Sequence, residues 1–80
     1  MKVQEAVVMR IRELCKKRHL KISRLAYDAG MPESTLKNVM KGTSRNPGIV
    51  TIKKICDGLD ISLNEFFNTD TFRDLEQEIE

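Results

Sequence analysis

The segment LKISRLAYDAGMPESTLKNVMKG, residues 20–42, decides the fold, because it reads as two short helices joined by a tight turn. In its first half Ile22, Leu25, Ala26 and Ala29 recur at i, i+3, i+4 and i+7, which makes one apolar helical face. Gly30 ends that helix, since glycine takes a positive φ without strain and can serve as both C-cap and corner. Met31-Pro32 follows, and proline suits the first position of a new helix, where its missing N–H would have no partner anyway. The second helix, Glu33 to Lys41, turns Leu36, Val39 and Met40 inward. Its outward residues, Glu33, Ser34, Thr35, Lys37, Asn38 and Lys41, are polar and can donate and accept hydrogen bonds.

Leu25-Ala26, Gly30, Ser34-Thr35-Leu36, Gly42 and Pro47 stand at the spacing of a helix-turn-helix, and the chain resembles the phage-repressor class, the Cro and C1 type also called the XRE family. Small Ala26 sits where such motifs need close approach of their two helices. The resemblance continues through Ile52, Ile55, Leu59 and ISLNEFF at 61–67, so it covers roughly Val7 to Phe67. It implies an all-α, five-helix, lambda-repressor-like DNA-binding domain over residues 1–68, with a short C-terminal helical tail over 69–80. It further implies that the helix from Glu33 enters the major groove of double-stranded DNA and puts Glu33, Ser34, Lys37 and Asn38 at base edges. Asn38 suits adenine, Lys37 suits guanine N7 and O6, and Glu33 suits cytosine N4 or helps to exclude other bases.

Members of the family commonly carry a Thr or Ser cap followed by Gln at the entry to the first helix of the motif. Here Lys21 and Ile22 hold those places, so a phosphate anchor falls to Lys21, Ser23 or Arg24, and the sequence leaves open which. Thr35 and Lys41 on the second helix, and Thr43, Ser44 and Arg45 in the loop TSRNP, complete the phosphate candidates. The function implied is that of a sequence-specific transcriptional regulator, a repressor before an activator. The alternative is an antitoxin or accessory module acting through a partner protein held by its tail.

The rest of the chain is read around this motif. Its length allows one domain, and with only four aromatic residues the core must come mainly from aliphatic side chains on amphipathic helices. The longest apolar run, Ala6 to Met9, is far too short for a membrane span, so a cytoplasmic chain of bacterial or phage origin, associated with the nucleoid, is expected. A net charge of +2 conceals a division: residues up to Lys54 carry 13 Lys and Arg against 4 Asp and Glu, and those from Ile55 carry 1 Arg against 8 acids. That is the footprint of a basic face meeting phosphates and an acidic end kept away from them, although charges that simply solvate helices would look alike.

A first helix is predicted from about Val3 to Arg18, with Val7, Ile11, Leu14 and Cys15 inward and Arg10, Glu13, Lys16 and Lys17 outward. The cluster Lys16-Lys17-Arg18-His19 suits the helix C-terminus or a DNA backbone contact. A fourth helix follows Pro47 with Ile49, Ile52, Ile55, Cys56 and Leu59 on its core face. Ser62-Leu63-Asn64-Glu65 is a capping box that starts a fifth, burying Leu63, Phe66 and Phe67. In the acidic tail Phe72, Leu75 and Ile79 form a narrow stripe that can dock on its own body, pair with a second copy, or fray. Phe66, Phe67, Phe72, Leu75 and Ile79 are therefore the candidates for a homodimer interface, which would set two recognition helices about 34 Å apart.

Cys15 and Cys56 lie on apolar faces at no CxxC or zinc spacing, so buried reduced thiols are expected. His19 stands four residues after Cys15 with no further ligand at useful spacing, and neither a metal site nor a cofactor is expected. No glycine-rich phosphate loop, nucleophile with a base, or HExxH occurs, so an enzyme is not expected.

Overall fold

The computed structural model describes residues 1–42 and 46–79. Among the described residues six helices follow one another: α1 (Val3–Lys17), α2 (Ile22–Asp28), α3 (Glu33–Lys41), α4 (Ile49–Leu59), α5 (Leu63–Phe67) and α6 (Asp70–Arg73). Among the described residues there is no strand, and no helix is long and apolar enough to cross a membrane.

The core forms where the apolar faces meet. Val7, Ile11, Leu14 and Cys15 of α1, Leu25 and Ala26 of α2, Leu36 and Val39 of α3, and Ile52, Ile55, Cys56 and Leu59 of α4 join Ile61 and Phe66 in one buried cluster. Each of these aliphatic side chains gains roughly 1.5–3 kcal/mol by leaving water. The α2 and α4 helices approach most closely at Gly58, where an added Cβ would lie 3.0 Å from the Ala29 backbone nitrogen. Both cysteines are free and buried, and burial raises both thiols above the ordinary cysteine range, with Asp57 adding to the shift at Cys56.

Three helices end in one way. After α1, α2 and α4 a residue with φ of 53° (His19), 68° (Gly30) or 56° (Asp60) reverses the chain. The next amide then reaches back to the last turn, as Leu20 to Cys15 O (2.9 Å), Met31 to Ala26 O (3.0 Å) and Ile61 to Cys56 O (3.0 Å). This is the Schellman geometry, and it places an apolar residue, Leu20, Met31 or Ile61, against the core after each turn. The α5 helix begins at the expected capping box, with Ser62 Oγ accepting from the Glu65 amide at 3.0 Å.

Three expectations are corrected. Ile49 was placed on the core face of its helix but is 60% exposed, because α4 meets the core only from Ile52 onward and its first turn overhangs the packed face. Arg10 was assigned outward, yet it lies over α5, where it donates to Phe66 O (2.7 Å) and Glu65 O (2.9 Å). Arg18 likewise donates to Leu59 O at the end of α4, so both guanidiniums satisfy helix-terminal carbonyls.

The tail is the third. It is helical only over the single turn of α6, after which residues 75–79 run as an extended strap beside the start of α1. Phe72 packs against the core, Leu75 is half-buried and Ile79 is 84% exposed, so the stripe of three does not persist. The reason is a better set of polar partners. The α1 helix has no side-chain N-cap, and the strap supplies one: Glu78 accepts from the Val3 amide at 3.2 Å, Glu76 takes the Met1 amine, and Lys2 donates to Gln77 O. The Glu76 amide also donates to Met1 O at 3.1 Å. Of the three fates open to the tail, the chain shows docking on its own body.

Candidate nucleic-acid interface

The α3 helix is fixed from beneath by Leu36 and Val39, both buried, with Met40 half-buried beside them. Its outer surface is therefore presented on a rigid base. Pro32 precedes it in extended conformation, Glu33 supplies an acid in its first turn, and Gly42 closes it at φ 76°, a left-handed value that favours glycine. Gln4 Nε2 donates to Gly42 O at 3.1 Å, tying the start of α1 to the end of α3.

All four base-contact candidates, Glu33, Ser34, Lys37 and Asn38, are exposed on α3, as are Thr35 and Lys41. Ser34 and Asn38 stand one turn apart, and so do Glu33 and Lys37. The latter two are joined, with Lys37 Nζ 2.7 Å from Glu33 Oε2, so the candidate cytosine acceptor and the candidate guanine donor reach the surface as an ion pair. Exposed pairs of this kind add only about 0.3–0.5 kcal/mol to a helix, so separating them on a ligand costs little.

The phosphate candidates are less uniform. Lys21 and Ser23 are exposed at the start of α2. Arg24 is engaged within its own helix, with Nε 3.1 Å from Asp28 Oδ1 and its guanidinium 5.7 Å from the Tyr27 ring centroid. Thr35 shares with Asn38 a groove of about 240 Å³ between α3 and the start of α4. That groove is also lined by Asn46 and Thr51, two hydrogen-bonding residues that sequence reading did not nominate. Thr43, Ser44 and Arg45 lie outside the described residues.

The dimer candidates separate. Phe66 has no exposed surface, so it cannot meet a second copy in the folded chain, and its assignment to an interface is corrected. Its ring lies 4.9 Å from Phe67, which is 4.9 Å from Phe72, both pairs edge-to-face. The cluster thus joins α5 to α6 within one molecule. Phe67, Phe72 and Leu75 keep partial exposure. His19 is exposed and Cys15 buried, and no group of three metal-ligating side chains comes together among the described residues.

Comparison with known proteins bears on the same segment. The family model described as a Cro/C1-type HTH DNA-binding domain matches residues 10–71. The HTH-type transcriptional regulator SlrR of Bacillus subtilis (strain 168) is 31% identical over 61 residues, which are 76% of this chain and 40% of that protein. The chain thus spans well under half the length of that relative. No solved structure gives a significant match.

Proposed function

Because the chain belongs to the Cro/C1-type HTH DNA-binding domain family, matched from within α1 through α5, we propose that it is a sequence-specific regulator of transcription that reads the major groove of double-stranded DNA with α3. The observation that carries this reading is the division of α3: Leu36 and Val39 lock one face into the core while Glu33, Ser34, Lys37 and Asn38 stand exposed on the other. A helix so anchored loses little freedom on meeting DNA, and its side chains match the edges of adenine, guanine and cytosine. Glu33 and Lys37 act together in this reading. Paired they are neutral, and opened they present an acceptor to cytosine and a donor to guanine. Regulation is by occlusion of RNA polymerase at an operator in the bacterial nucleoid, which makes the protein a repressor.

The acidic strap is engaged with α1, and this weighs against the alternative in which the tail holds a partner protein.

Selection of the purified protein against a random duplex pool, at low and moderate salt, tests the reading. An enriched motif is the expected outcome, and an inverted repeat with half-sites about one helical turn apart would add a two-fold dimer. Asn38→Ala should relax one base position at a cost of about 1–3 kcal/mol, whereas Arg45→Ala should weaken all duplexes alike. If no duplex is retained even at low salt, DNA recognition by this chain is excluded.

A further inference from the structure

The two arginines of α1, Arg10 and Arg12, and its C-cap Arg18 are used differently. Arg10 and Arg18 donate to the carbonyls that end α5 and α4. Arg12 is exposed and makes no hydrogen bond or ion pair among the described residues. It lies instead on a groove of about 310 Å³ where α1 meets the two helices of the motif, lined by Arg12, Ile22, Lys37, Met40 and Lys41. Three of these five residues are cations and none is acidic, while Ile22 and Met40 supply apolar surface. Among the described residues Lys41 also has no hydrogen bond or ion pair, and Lys37 is held by the exposed Glu33 alone.

A second groove, of about 440 Å³, adjoins the first and shares Arg12, Met40 and Lys41 with it before running along α1 toward Glu5. Arg12 and Lys41 therefore stand where the two grooves overlap, at the α1 side of the recognition helix. A guanidinium is the side chain best matched to a phosphate group, since its fork can engage two oxygens at once. Three exposed cations gathered around one groove repel one another, so an anion there is favoured, and beside a major-groove helix the anion at hand is the DNA backbone.

We infer that Arg12 is a DNA phosphate anchor that acts with Lys41 across the α1–α3 groove, so that α1, otherwise a supporting helix, is part of the DNA interface. The inference rests on the DNA-binding reading above and adds to it a residue outside the helix-turn-helix. Arg12 fixes how far the recognition helix reaches into the groove and carries no base preference of its own.

The test is the salt dependence of binding to a selected operator and to a random duplex, measured by fluorescence anisotropy for the full chain and for Arg12→Gln, Arg12→Lys and Lys54→Gln. Lys54 is exposed on α4 and lines neither groove, so it controls for bulk charge. Arg12→Gln should lower affinity about tenfold on both duplexes at low salt, and reduce the slope of log affinity against log salt by about 0.9, one phosphate's share. Arg12→Lys should recover the slope, and Lys54→Gln should leave affinity and slope unchanged. Helical circular dichroism matching the parent shows that a variant is folded.

If the parent binds the operator and Arg12→Gln binds with the same slope, the anchor is excluded while the reading of α3 stands. If Lys54→Gln loses as much as Arg12→Gln, general charge attraction replaces a defined contact. If the parent binds neither duplex, both the anchor and the DNA-binding function fail.

Discussion

The α3 helix and the C-terminal strap are both short segments, neither able to hold a structure alone in water, and the fold secures them by opposite means. The α3 helix is held from below by the buried Leu36 and Val39 and keeps its charges for the outside. The strap follows the half-buried Phe72 of α6 and, apart from the half-buried Leu75, relies on Glu76, Glu78 and the backbone at Gln77 meeting the Met1 amine, Lys2 and the first amide of α1. The first kind of attachment is indifferent to salt and pH, and the second responds to both. A surface that must present fixed side chains is thus built on apolar burial, while the acidic end of the chain is fastened by contacts that can open locally.

The largest effect expected from this contrast is at Leu36, which is fully buried. Leu36→Ala should cost about 2–5 kcal/mol, with strap and core melting together in thermal unfolding. A variant that lost only α3 would break the comparison by showing that this helix is not part of the cooperative unit. Phe72→Ala should cost about 2 kcal/mol, less than the 3–5 typical of a buried phenylalanine because the ring is half-exposed. It should free residues 75–79 to exchange their amides while those of α3 stay protected.

Asp60→Gly should sharpen the contrast from the other side. It relieves a left-handed backbone at φ 56° and should raise the melting temperature by the equivalent of roughly 0.5–1 kcal/mol without changing exchange in the strap.

The smallest effect is electrostatic. The hydrogen bond and charge of the Met1 amine hold the Glu76 carboxyl below its ordinary pKa of 4.5. A depressed carboxylate contributes to docking at pH above that ordinary value, and the contribution is lost as pH falls through the lowered one. Amide shifts of Val3 and Glu76 should therefore move on acidification while those of the core remain in place. Shifts that moved with the core instead would make the strap an integral part of it.

What could be read from sequence follows the range of the interactions. The two helices of the motif, the turn at Gly30 and the capping box of Ser62 and Glu65 are set within a few residues, and all three stand as expected. Two further left-handed turns, at His19 and Asp60, carry no glycine to announce them. Their common signal is the apolar residue that follows, Leu20 and Ile61, as Met31 follows Gly30. The contacts of Arg10 with α5, of Arg18 with α4 and of Glu78 with α1 span 41 to 75 residues, and no local pattern encodes them. For the candidate site, exposure of the α3 residues was legible from helical period, whereas the groove that places Arg12 beside Lys37 and Lys41 exists only after packing.

The close approach at Gly58 gives the molecule a tuning point on its far side. A methyl group there would act as a wedge against the Ala29 backbone, which leads directly through Gly30 into the recognition helix. Gly58→Ala would press on the segment that leads into α3 while every exposed residue of α3 kept its identity. The angle at which α3 presents its exposed face can therefore drift through packing behind the motif, independently of the residues on that face.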